Sequence, residues 1–174
     1  MTTDAYSVWL MPKAAWAREF KRIVDDLADR FGTPQFVPHL TLIGGRSFDL
    51  ADLRRRVAAV PPGTVAIWRP IIDVAIGDAF FRSFYALFGA EGALLALKRR
   101  TDRAVFGSES KEFMPHVSLL YGLVEAGRKV AVAMELRAKL TGETVRFDRI
   151  EIVRSGDDVP VADWETVEAF GLDG

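Results

Sequence analysis

Apolar residues change their spacing several times along the chain, and each change marks an element. Ser7–Met11 reads as a short strand ended by Pro12. Trp16, Phe20, Ile23, Val24, Leu27 and Phe31 then recur at helical spacing, which predicts a helix with one buried stripe. Gly32 stands just past its end, where a left-handed cap belongs. Phe36–Gly45 reads as a strand, and Asp49 is placed to cap a helix carrying Leu50, Leu53, Val57 and Val60. Pro61-Pro62-Gly63 ends that helix.

The second half follows the same logic. Thr64–Ile76 is rich in β-branched residues, with Pro70 marking an edge or a bulge. Phe80–Phe88 is the next predicted strand, hairpin-paired across Gly77-Asp78. A helix is expected from Glu91 to about Val105, a strand over Met114–Tyr121, and a helix over Glu125–Leu140 with Val130, Met134, Leu136 and Leu140 inward. Two strands close the chain, Glu143–Val153 and Trp164–Phe170, joined by the polar loop Ser155-Gly156-Asp157-Asp158. Strands and helices mix without a strict βαβ rhythm. The expected class is therefore α+β, with antiparallel sheets and helices on their outer faces.

One segment occurs twice. Phe36-Val37-Pro38-His39-Leu40-Thr41-Leu42-Ile43-Gly44-Gly45 returns as Phe113-Met114-Pro115-His116-Val117-Ser118-Leu119-Leu120-Tyr121-Gly122. The two histidines of the chain occupy the same place in each copy. The repeat hints at two similar lobes, although nothing outside the segment aligns. In a strand, side chains alternate faces, so His39 and Thr41 point one way and Leu40 and Leu42 the other. His116 and Ser118 likewise oppose Val117 and Leu119. Core packing needs no hydroxyl beside an imidazole, so both pairs are candidate site residues.

Imidazole titrates near neutral pH, so two of them can divide labour, one taking a proton and one giving it. Two hydroxyls can donate to oxygens on which negative charge develops. The set suits a phosphoryl group attacked on one side and broken on the other. A metal site is the alternative reading, but it needs acidic ligands from elsewhere in the chain. A serine hydrolase lacks its G-x-S-x-G elbow, and Gly44-Gly45 is too short for a phosphate-cradling loop.

Composition narrows the partners. The 174 residues are 49% hydrophobic and 27% charged, with a net charge of −1. That balance suits a soluble globular protein and gives no basic excess for gripping a long phosphate backbone. The runs Arg54-Arg55-Arg56 and Lys98-Arg99-Arg100 read as solvated helix faces. No cysteine is present, which excludes a disulfide framework, a thiolate nucleophile and a cysteine metal cage. Neither a secretion leader nor a long apolar run is recognisable, so a cytoplasmic protein without a membrane partner is expected.

The paired motifs His39-Leu40-Thr41-Leu42 and His116-Val117-Ser118-Leu119 resemble the signature of the 2H phosphoesterase superfamily. Within it the chain looks most like the cyclic phosphodiesterases of the plant and yeast type. Ser7-Val8-Trp9, Phe36-Val37-Pro38-His39, Phe80-Phe81, Met114-Pro115-His116 and Trp164-Glu165-Thr166-Val167 carry that narrower match. The resemblance implies one domain over residues 1–174, built as two pseudo-symmetric lobes with one motif in each and two sheets facing a central cleft. It implies metal-independent opening of a cyclic phosphate by water, with no cofactor. The implied substrates are ADP-ribose 1″,2″-cyclic phosphate or a nucleoside 2′,3′-cyclic phosphate, taken as a small-molecule partner by a monomer.

Carried over, His39 and His116 are the acid–base pair, while Thr41 and Ser118 hold the phosphate oxygens. The resemblance leans towards His116 activating water and His39 protonating the leaving oxygen. Trp9, Phe81 and Tyr121 are the candidate substrate-binding aromatics. Strict alternation puts Tyr121 opposite His116, so it reaches the site only where its strand bends or ends. Two other readings stand beside this one: an RNA-end processor of the 2′-5′ RNA ligase or 3′-exonuclease branch, and a nucleotide-binding module without turnover.

Overall fold

The structure is a computed structural model that describes residues 4–173. Seven strands and four α-helices follow one another as β1 (Ala5–Pro12), α1 (Ala14–Phe31), β2 (Leu40–Ser47), α2 (Leu50–Ala58), β3 (Ile67–Ala79), β4 (Arg82–Phe88), α3 (Gly92–Phe106), β5 (His116–Leu120), α4 (Ala126–Leu140), β6 (Thr144–Arg154) and β7 (Glu165–Gly171) among the described residues. The α+β class is as expected. The caps follow from local chemistry. Asp49 accepts the Asp52 backbone N–H at the start of α2. Gly32 and Gly107 take left-handed φ of 68° and 74° at the ends of α1 and α3.

The strands form one hydrogen-bonded sheet, ordered β1-β2-β5-β4-β3-β6-β7, rather than two separate ones. All strand pairs are antiparallel, and β1 also pairs with β6, which closes six strands into a ring. The reason is the length of β6. Its first residues, Thr144–Phe147, pair with β3. The rest, Phe147–Arg154, pairs with β1. The ring is narrow at the opposite seam, where β2 and β5 share the single pair Leu40↔Val117. So β1, β2, β6 and β7 form one strand group, and His39 stands immediately before its strand β2. The other group, β3, β4 and β5, carries His116 at the start of β5.

Helices α4 and α1 pack on β3 and β5 respectively, and α3 lies against β2 and β3. Phe20, Phe84, Phe88 and Phe147 are all but fully buried in the common core. Removing each such side chain from water stabilises the fold by about 1.5–3 kcal/mol. Among the described residues no helix is long and apolar enough to cross a membrane.

Two local expectations change. The β3–β4 hairpin turns at Phe80-Phe81, with Ala79 paired to Arg82, and not at Gly77-Asp78. Gly77 lies inside β3 where the register shifts, and a Cβ there would sit 2.2 Å from the Arg82 carbonyl oxygen. Glycine serves close approach here, not a turn. On α4 the buried face is Lys129, Val132, Ala133, Leu136 and Leu140, while Val130 and Met134 are exposed.

Candidate active site

The repeated segment builds the same small unit twice. Proline at 38 and 115 holds the preceding residue extended. That aims the Val37 and Met114 carbonyls at the imidazole two residues on: His39 Nδ1 lies 2.7 Å from the Val37 oxygen, and His116 Nδ1 lies 2.8 Å from the Met114 oxygen. A carbonyl only accepts, so each Nδ1–H donates and each neutral ring keeps its lone pair on Nε2. The tautomer is thus set identically in both copies by local backbone. Leu40, Leu42, Val117 and Leu119 on the alternate face are buried and anchor both strands in the core.

Both units open on one cavity of about 410 Å³, within the usual range for a small-ligand site. Its wall includes every residue singled out from sequence: His39, Thr41, His116, Ser118, Trp9, Phe81 and Tyr121. Burial pushes the His39 imidazole down to about 3, with His116 pushing the same way and the Val37 hydrogen bond opposing. Burial also lowers His116, the Met114 hydrogen bond opposes, and the nearby Arg82 guanidinium adds to the lowering. Both rings are therefore neutral in the free protein near pH 7. Among the described residues no three histidine, aspartate or glutamate side chains converge to hold a metal.

The two hydroxyls differ. Ser118 Oγ donates to the Phe81 carbonyl oxygen at 2.9 Å, across to the tip of the β3–β4 hairpin. Thr41 is half-buried, and its hydroxyl has no partner among the described residues. The aromatics differ too. Trp9 is 4% exposed and lies flat on the His39 ring, with centroids 3.4 Å apart and planes 5° apart. Its face is occupied by the imidazole, so it fixes ring orientation. Tyr121 reaches the cavity because β5 ends at Leu120, and it stacks on Phe36 at 3.6 Å. Burial raises its phenol well above the ordinary range. Half-buried Phe81 and Trp164, with rings 5.8 Å apart and planes 26° apart, present aromatic surface to the cavity beside the exposed Phe80.

Sequence reasoning missed Ser7, Arg82, Ser155 and Trp164 as wall residues. Ser7 shares the strand face of Trp9, two residues away, so alternation along β1 was its signal. Trp164 lies just outside β7 on a loop, where no periodicity points to it.

Comparison with known proteins agrees with the geometry. Residues 4–172 match the family described as cyclic phosphodiesterase-like protein. A cyclic phosphodiesterase of Arabidopsis thaliana is 27% identical over 173 residues, covering 97% of this chain and 96% of that one. Among solved structures, Escherichia coli LigT complexed with 3′-AMP superposes with a TM-score of 0.63 at 13% identity, over 98% of this chain and 99% of that one. TT0787 of Thermus thermophilus gives 0.62 at 15% identity, over 98% of each. The paired histidine units, the closed antiparallel sheet and the match over nearly the whole length converge: the chain belongs to the cyclic phosphodiesterase-like proteins of the 2H phosphoesterase superfamily, hydrolases acting on phosphodiester bonds.

Proposed function

We propose that this protein hydrolyses a nucleotide-derived cyclic phosphate, ADP-ribose 1″,2″-cyclic phosphate or a nucleoside 2′,3′-cyclic phosphate, to a phosphomonoester by two-histidine acid–base catalysis without a metal. The observation that carries this is the pair of identically tethered imidazoles on one cavity, each two residues from a hydroxyl. Water attacks phosphorus while one neutral Nε2 takes its proton. The ring P–O bond breaks, and the other imidazole, protonated, delivers a proton to the leaving ribose oxygen. Thr41 and Ser118 donate to the nonbridging oxygens, for which the Ser118 proton leaves the Phe81 carbonyl. Following the family resemblance, His116 activates water and His39 is the acid. That division requires the bound anion to raise His39 far above its free-state value of about 3.

The aromatic wall of Phe81 and Trp164, backed by Tyr121, receives the nucleoside, and Trp9 holds His39 in register. The LigT structures with 3′-AMP, ATP and NADP+ show that a protein of this fold takes small nucleotides. In this reading the chain is one domain of two lobes, one motif in each, acting as a monomer on a small substrate. Turnover of 2′,3′-cyclic AMP in excess chelator tests it. Undiminished hydrolysis is expected, and loss restored only by a divalent cation would sink metal independence. Tight binding of the nucleotide with no product after long incubation would instead favour a binding module.

A further inference from the structure

Two serines share the cavity wall with the histidines, and neither belongs to the repeated segment. Ser7 stands on β1, and Ser155 immediately follows β6. Their exposures are 4% and 1%, and Ser155 Oγ donates to Ser7 Oγ across 2.8 Å. The segment around Ser155 is tightly held. The Ser155 backbone N–H donates to the Ala5 carbonyl at 3.0 Å. A Cβ on Gly45 would fall 2.7 Å from Gly156 Cα and 2.8 Å from the Ser155 oxygen, so this strand and loop meet backbone to backbone. The hydroxyl pair is therefore set at a fixed place in the wall.

Two hydroxyls carry two protons, and the bond between them uses one. One proton of the pair has no acceptor among the described residues, and Ser7 is the more exposed of the two hydroxyl carriers. A buried donor is rarely left without an acceptor. Ser7 faces the cavity beside β2, where Thr41 pairs with Trp9 two residues along the same strand. Thr41 and Tyr121, also in this wall, carry hydroxyls without a hydrogen-bond partner among the described residues. Asp157 is the carboxylate in this wall, and no hydrogen bond joins it to Ser7.

We propose that Ser7, oriented by Ser155, is a further substrate-contacting donor that gives its proton to one nonbridging oxygen of the cyclic phosphate. This rests on the cyclic-phosphate reading above. A donor fixed on one wall distinguishes the two nonbridging oxygens, because they are diastereotopic. Replacing the contacted oxygen by sulfur weakens the bond, and replacing the other does not.

The test uses adenosine 2′,3′-cyclic phosphate and the two diastereomers of its phosphorothioate. Wild type should discriminate between the diastereomers. Ser7→Ala should lose about 10- to 100-fold in kcat/KM on the oxygen substrate, the usual effect of removing a hydrogen bond to a charged group. It should also shrink the diastereomer ratio by a similar factor. Ser155→Ala, which leaves the Ser7 hydroxyl in place but unoriented, should lose less in the same direction and covers the case of a poorly folded Ser7→Ala. Equal rates for the diastereomers in wild type overturn the proposal. So does a Ser7→Ala protein that keeps the wild-type ratio, whether or not its overall activity falls. Absence of turnover on all three compounds by wild type overturns the nucleoside 2′,3′-cyclic phosphate reading on which this proposal rests.

Discussion

At the scale of single residues, the central feature is an imidazole whose hydrogen bond comes from its own backbone. His39 and His116 each take their orientation from a carbonyl two residues back. Replacing either with alanine should lower kcat by about 10²–10⁴-fold, the range for a general acid or base, while near-ultraviolet circular dichroism stays native. Full activity in His39→Ala would end the acid–base proposal. The burial of His39 also has a stability consequence. Its folded form stays neutral to about pH 3, whereas the unfolded histidine takes a proton near 6.5. Across that window the unfolded state binds more protons, so stability falls as pH drops, by up to about 1.4 kcal/mol per pH unit from this residue. Urea denaturation from pH 7 to 4 should show a shallower decline for His39→Gln than for wild type; parallel curves would contradict the buried, neutral state. The two histidine units on this cavity were legible in sequence because one histidine beside one hydroxyl occurs twice. The Trp9–His39 stack was not, since strand alternation gives the face of Trp9 but not which ring lies on it.

At the scale of elements, the β3–β4 hairpin brings Ala79, Phe80, Phe81 and Arg82 to the cavity. Its tip is tied at several points. Lys129 of α4, 2% exposed, donates to the Gly77 carbonyl at 2.8 Å, the Ser83 carbonyl at 3.1 Å and Ser83 Oγ at 2.9 Å. The Gly122 N–H and the Ser118 hydroxyl hold the Phe80 and Phe81 carbonyls. Burial lowers the Lys129 pKa, opposed by the charges of Asp78 and Glu125. Lys129→Met should cost about 1–3 kcal/mol, the penalty for leaving buried acceptors unpaired. It should also raise KM by letting the Phe81 wall drift. An unchanged melting temperature would show that the ammonium does not hold the hairpin. This is also where hydropathy misleads. A lysine in the buried stripe is invisible to an apolar count, so the pattern assigns the α4 stripe to Val130 and Met134, which face out.

At the scale of the whole molecule, the closed ring of strands sets the two histidine strands side by side. They touch through one backbone pair, Leu40↔Val117, so the two hydroxyl-imidazole faces meet across a seam. Strand and helix order was readable from periodicity, and so was the α+β class. Closure of the sheet was not, because it depends on β6 serving three neighbours along its eleven residues, a long-range choice without a local signal. The pairing supports a reaction with two sides at one phosphorus, and chemical selectivity tests that most directly. Purified protein should be incubated with four nucleoside 2′,3′-cyclic phosphates, ADP-ribose 1″,2″-cyclic phosphate and a 3′,5′-cyclic nucleotide, with products followed by phosphorus NMR. Opening of the five-membered cyclic phosphates to monoesters, with the 3′,5′ ring left intact, is the expected result. Efficient 3′,5′ cleavage, or no product from any five-membered ring, would contradict it.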